Sequence, residues 1–231
     1  GLAALAAGLA WHLASYVGFW VVNRYCGKAD GGVFYGLMML SQTTFFLSGA
    51  AWAVVFSHVA RRYESGRRGE AMATLEMSYK AIALGLMTIT LVVYLTGPWW
   101  IRLLPDEFRP GLPLLGGLLL FFQSMSHLAL LHILLKLHER PWVNALLAAL
   151  TAAGIFTVAR TWMHHFAWQP RGVAWSAGTV TLATGLAASA VYFALSRTWP
   201  RPGTLAVLAA PTVLLLPLVT WYLFAAVDMA L

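Results

Sequence analysis

Seven apolar runs, each about as long as a membrane-crossing helix, divide the sequence along most of its length. They cover residues 2–23, 33–60, 80–101, 112–136, 142–163, 172–196 and 203–227. A helix needs about 20 predominantly apolar residues to cross the hydrocarbon core of a bilayer. The runs are continuous and do not alternate between polar and apolar residues, which excludes a membrane β-barrel. The sequence therefore predicts an all-α integral membrane protein with about seven transmembrane helices.

The overall composition supports the same class. Hydrophobic residues make up 60% of the chain and charged residues 10%, and the mean hydropathy is +0.73. Soluble domains carry about 25% charged residues. The net charge of +7 would suggest nucleic-acid binding in a soluble protein. Here the basic residues lie at the ends of apolar runs, where they orient helices and contact anionic lipids. We expect membrane lipids as partners and no nucleic acid.

Helix-breaking residues separate the runs. They are Gly31-Gly32, Pro105, Pro110-Gly111, Pro141, Pro170, Pro200 and Pro202-Gly203. The segment 72–81, with the sequence MATLEMSYKA, is predicted to form a short amphipathic helix on the membrane surface before the third span. Cys26 is the only cysteine, so the chain cannot form an intrachain disulfide.

A cluster of arginines between the second and third runs predicts the orientation. Arg61, Arg62, Arg67 and Arg68 lie within eight residues of each other. Basic residues close to a span end are retained on the cytoplasmic side. When successive loops are assigned to alternate sides of the membrane, nine Lys and Arg residues lie on the side of this cluster and six on the other. These account for all fifteen in the chain. The sequence therefore places this loop in the cytoplasm.

Acidic residues are absent from the middle of every run. The eight are Asp30, Glu64, Glu70, Glu76, Asp106, Glu107, Glu139 and Asp228, all in loops or near run ends. Membrane proteins that move Na⁺ or H⁺ usually use carboxylates at membrane depth, and a glycosidase needs a carboxylate pair. The chain also lacks a phosphate-binding glycine loop, GxSxG and HExxH. We expect no cofactor, no metal site and no enzymatic activity.

The polar side chains inside the runs are the candidate functional groups. His12 lies in the first run, Gln42 in the second, and Gln123 and His127 in the fourth. Gln123 and His127 are four residues apart and share one helical face. Because polar groups at this depth are costly in lipid, they face protein or water. Two interpretations remain open: interhelical hydrogen bonds alone, or a polar cavity that receives a hydrophilic headgroup.

Four short segments follow each other in a characteristic order. They are 32–39 (GVFYGLMM), 55–71 (VFSHVAR, then a loop with GRRGEA), 97–108 (GPWWI, then PDEF) and 169–175 (QPRGVAW). Their order and spacing resemble the second half of polysaccharide and oligosaccharide-lipid flippases, which belong to the multidrug/oligosaccharidyl-lipid/polysaccharide exporter superfamily. Ser57 stands where the family often has proline, and Gln169 replaces part of a usual glycine region.

The resemblance implies that residues 1–231 are the C-terminal transmembrane lobe of an alternating-access transporter whose N-terminal lobe is missing. It implies a bacterial cytoplasmic membrane protein of cell-envelope polysaccharide biosynthesis, which flips a lipid-linked oligosaccharide or exports a polysaccharide. The substrate would be a lipid-linked sugar diphosphate in a cationic cavity, and the partners would include the N-terminal lobe and polysaccharide-synthesis machinery. Arg24 is then a possible diphosphate contact; a snorkelling interfacial arginine is the alternative.

Three other functions stay open at this point. The first is a multidrug-type exporter of the same superfamily. The second is an integral-membrane acyl- or glycosyltransferase that uses His127 as general base. The third is a non-transporting scaffold subunit, for which a fully apolar interior would be expected.

Overall fold

The computed structural model describes residues 2–166, 169–196 and 200–210, and this part of the chain is helical without any strand. The helices are α1 (Leu2–Tyr25), α2 (Lys28–Glu64), α3 (Arg68–Leu103), α4 (Leu112–Leu137), α5 (Pro141–Phe166), α6 (Gln169–Ser196) and α7 (Pro202–Ala210), with a short 3-10 helix at Asp106–Gly111 before α4. The predicted all-α class is confirmed.

Five helices, α2 to α6, are long and apolar enough to cross a bilayer. They contain the predicted spans 33–60, 80–101, 112–136, 142–163 and 172–196. α1 covers the first predicted span but is not among these five. The last predicted span, 203–227, overlaps α7, and its residues from 211 onward lie outside the described part of the chain. These helices are those of a multi-pass membrane protein, and by length and composition they match five of the seven predicted spans.

One predicted helix break is wrong. Gly31 and Gly32 lie inside α2, and the chain turns earlier, at Gly27, whose φ of 110° favours glycine. Gly31 has a different role, because a Cβ there would lie 3.1 Å from Oδ1 of Asn23 on α1. The prolines agree better with the prediction: Pro141 begins α5, and the 3-10 helix lies between α3 and α4 where Pro105 and Pro110 were expected to end a span.

The predicted surface helix at residues 72–81 is also wrong as a separate element. These residues belong to α3, which is continuous for 36 residues and therefore about 54 Å long. Leu75 and Tyr79 are fully buried on the same face as Thr90 and Gly97. α3 and the 37-residue α2 both exceed the ~30 Å hydrocarbon core, so they extend beyond it. The amphipathic pattern reflects packing against protein.

α4 is the central helix of the bundle. It packs most extensively against α6 and also contacts α2 and α3. In its most apolar stretch 83% of the residues are buried in protein, against 12%, 28%, 28% and 39% for α2, α3, α5 and α6. A helix that is apolar on all sides is expected in such a position. Gln123 and His127, the two residues of α4 that the sequence analysis selected, are consequently buried in protein.

Glycines bring α4 and α6 into close contact. A Cβ on Gly117 would lie 2.6 Å from the carbonyl carbon of Ala174, and one on Gly185 would lie 2.9 Å from Cβ of His127. Residue numbers increase together along the contact, so the two helices run parallel. Small residues that allow backbones to approach are typical of helix packing in membranes.

Charged residues gather at the two ends of the bundle. The α2–α3 and α4–α5 turns lie together at one end, where Oη of Tyr63 is 3.4 Å from Nε2 of His138. We call this the basic end, because it includes the four arginines of the 61–68 cluster. At the opposite end Lys28, Glu107 and Arg171 line one cavity. Successive turns between helices lie at alternate ends of the bundle, as the charge count assumed. The cytoplasmic location of the basic end stays a prediction.

Candidate functional site

The structure separates the five residues predicted to line a substrate cavity. His12 and Arg24 are exposed on α1, whereas Gln42 on α2 is buried. Gln123 and His127 are fully buried on α4, on the face that the sequence pattern predicted. None of the five lines either of the two cavities described below. Only Gln123 and His127 therefore belong to one site in this conformation.

His127 is held by both neighbouring helices. The hydroxyl of Tyr79 on α3 lies 2.5 Å from its Nδ1, and the hydroxyl of Ser189 on α6 donates to its backbone carbonyl at 3.2 Å. Gly185 packs directly against its Cβ. The second ring nitrogen, Nε2, is buried and has no hydrogen-bond partner among the described residues. The ring thus joins α3, α4 and α6 and keeps one unsatisfied polar atom.

Gln123 makes a similar contact one turn away. Thr90 on α3 donates to its Oε1 at 3.2 Å, while its Nε2 and the hydroxyl of Thr181 on α6 have no partner in the described part of the chain. Interhelical hydrogen bonds, the first interpretation drawn from the sequence, are therefore present. The mostly apolar interior thus contains polar groups, which differs from the fully apolar interior expected of a scaffold.

A cavity of about 710 Å³ lies at the end opposite the basic end. It is formed by the first turns of α2 and α6 and by the 3-10 helix before α4, and its charged lining residues are Lys28, Asp30, Glu107 and Arg171. We call it the Lys28 cavity. Both signs of charge are present, so the site suits a polar ligand or water better than a simple anion.

A second cavity of about 440 Å³ lies between α1, α2 and α4 toward the basic end. Trp11, Phe45, Trp52 and Phe56 form its aromatic wall; Ser126, His132 and Lys136 are its polar lining residues on α4. We call it the Lys136 groove. Nζ of Lys136 lies 5.5 Å from the ring centroid of Phe56, within the range of a cation–π contact.

Both cavities lie along the same contact between α2 and α4. The Lys28 cavity includes residues 28–33 of α2, and the Lys136 groove includes residues 45–56. Between them the two helices are packed together by apolar side chains, namely Phe34, Leu37 and Met38 of α2 and Leu118, Phe121 and Phe122 of α4. We call this the closed section. Gln42 is buried on α2 next to it.

The geometry gives no support to a general base at His127. The ring is fully buried, and neither described cavity includes it, so no substrate could reach Nε2 in this conformation. The described residues also contain no group of three or more His, Cys, Asp or Glu side chains that could hold a metal ion.

Sequence reasoning missed Tyr79, Trp52 and Lys136. Tyr79 was assigned to a surface helix, although its spacing from Leu75 and Ala83 is that of a buried helical face. His132 and Lys136 are four residues apart on α4, a spacing that places them on one face. The sequence alone could have revealed this spacing. It could not have shown that aromatic residues of α1 and α2 pack opposite it.

Comparison of the chain with protein-family models, curated proteins and solved structures finds no match.

Proposed function

We propose that the chain is one transmembrane lobe of a transporter that moves a lipid-linked oligosaccharide, or exports a polysaccharide, across the bacterial cytoplasmic membrane. The observation that carries the proposal is the pair of cavities at opposite ends of the α2–α4 contact, separated by the closed section. Alternating access requires a path that opens toward one side at a time. A state closed in the middle, with a cavity at either end, is one expected member of such a cycle.

The packing of the closed section is compatible with movement. Apolar side chains pack across the closed section, and at its edge the ring centroids of Phe45 and Phe122 are 6.1 Å apart. Apolar contacts are non-directional, so this packing restricts sliding or tilting of the two helices less than directional bonds would. The hydrogen bonds of Tyr79 and Thr90 lie on the other side of α4 and tie it to α3. The α2–α4 contact is therefore the side on which we expect opening.

The substrate class rests on the resemblance and on charge. Acidic residues of the described chain lie near helix ends, and Glu76, the one farthest inside a helix, accepts a hydrogen bond from Thr204 of α7. Carboxylates at mid-membrane depth would disfavour an anionic substrate. A lipid-linked sugar diphosphate, with its apolar tail in the bilayer, fits an interior without them.

Reconstitution of the intact protein in proteoliposomes tests the proposal. A fluorescent lipid-linked sugar diphosphate should cross between leaflets faster than in protein-free vesicles. Gly32→Trp and Gly49→Trp should each slow it at least about tenfold, a barrier increase of about 1.4 kcal/mol. Each glycine lines one of the two cavities, and a Cβ there would meet no atom within 4 Å, so a larger side chain can begin at these positions without a clash.

Gly85→Trp is the matched control, because Gly85 also has open space and lines neither cavity. A folded wild-type protein that leaves the crossing rate at the protein-free value contradicts the function. Equal rates for Gly32→Trp, Gly49→Trp and Gly85→Trp contradict the assigned path.

A further inference from the structure

The Lys136 groove offers hydrogen-bond donors without a balancing acid. Lys136 and His132 line it, and no carboxylate is among the described residues that line it. The indole N–H of Trp52, another lining residue, is buried and has no acceptor in the described part of the chain. Lys136 also has no carboxylate within 4.0 Å among the ion pairs of the described residues. A ligand that contributes an anionic oxygen would complement these groups.

The remainder of the groove is suited to an apolar chain. Trp11, Phe45 and Phe56 present aromatic surface, and Gly8 and Gly49 at its rim are exposed on the outside of the bundle. In a bilayer that surface faces lipid. The groove therefore runs from apolar surface that faces lipid to the ammonium group of Lys136 at the basic end. An anionic lipid has the same order, from acyl chain to charged headgroup.

We propose that the Lys136 groove binds an anionic phospholipid of the leaflet at the basic end, with the phosphodiester beside Lys136 and one acyl chain along the aromatic wall. The single ammonium group matches the single negative charge of a phosphodiester. The contact of Lys136 with Phe56 orients the ammonium group at the groove. The inference concerns binding alone and does not depend on transport.

Quenching of tryptophan fluorescence by brominated lipids tests the inference on the intact protein in vesicles. Phosphatidylglycerol or phosphatidylcholine with brominated acyl chains is mixed, at equal mole fraction, into unlabelled phosphatidylcholine. The difference between wild type and Trp52→Phe isolates the signal of Trp52. We expect phosphatidylglycerol to quench this signal more strongly than phosphatidylcholine. Lys136→Gln should weaken that preference about fivefold, and Lys136→Arg should retain it.

Arg140→Gln is the control variant. Arg140 is exposed at the same end of the bundle but does not line the groove, so its removal should leave the preference unchanged. Both Lys136 and Arg140 are exposed, so neither substitution leaves a cavity in the core. Equal quenching by the two lipids, or an equal effect of Lys136→Gln and Arg140→Gln, would overturn the inference.

Discussion

Gly117→Val should separate α4 from α6 and lower the free energy of unfolding by about 3 kcal/mol. A Cβ at this position would lie 2.6 Å from the carbonyl carbon of Ala174, 2.8 Å from its oxygen and 2.8 Å from the nitrogen of Trp175. These are backbone atoms, which cannot rotate away as a side chain can. Because α6 is the most extensive neighbour of α4, the whole contact has to shift.

Thermal unfolding of the purified protein in detergent, followed by loss of helical circular dichroism, measures this effect. Gly85→Val is the matched control, since nothing lies within 4 Å of the position where its Cβ would be. We expect the control to unfold within a few degrees of wild type. If Gly117→Val were as stable as Gly85→Val, the close α4–α6 packing described above would be incorrect.

Tyr79→Phe should lower the free energy of unfolding by about 1 to 2 kcal/mol. It removes the one hydrogen bond that the described residues make to the ring of His127, and leaves Nδ1 buried without a partner among them. Nε2 already lacks one among the described residues. Tyr192→Phe is the matched control, because among the described residues the hydroxyl of Tyr192 makes only a 3.9 Å contact with Sδ of Met72. Unfolding in a denaturing detergent series gives the difference between the two variants.

The double variant Tyr79→Phe/His127→Leu separates the contribution of the hydrogen bond to stability from that of packing. Replacement of both partners by apolar groups is less costly than removal of one, because no buried polar atom is then left unsatisfied. The double variant should therefore be more stable than the two single effects predict when added together. Additive effects, or a Tyr79→Phe variant no less stable than Tyr192→Phe, would contradict the described bond.

The apolar runs predicted the helices well because the bilayer imposes a minimum length on each of them. They predicted the helix ends less well. Hydropathy reports only the part of a helix inside the hydrocarbon, so the extensions of α2 and α3 beyond it were not visible. Gly31 and Gly32 were interpreted as a break because glycine disfavours helices in water. Here Gly31 instead allows close approach to Asn23 on α1.

The candidate site was predictable within one helix and not between helices. Gln123 and His127 were placed on one face by their spacing alone, and both are buried as a pair on α4. Their partners Thr90 and Tyr79 are 33 and 48 residues away in sequence, and no local pattern relates them. The rotation of α1 about its axis was equally unpredictable, and His12 proves to be exposed.

The most direct test of the central claim is the accessibility of residue 42 to a membrane-impermeant thiol reagent. Gln42→Cys would be made in a Cys26→Ser background of the intact protein, in sealed vesicles, with Ser65→Cys as an exposed reference at the basic end. We predict that position 42 is protected at rest and reacts when the lipid-linked sugar diphosphate is added, because the closed section must open during transport. Protection with and without substrate, while Ser65→Cys reacts, would contradict an α2–α4 path.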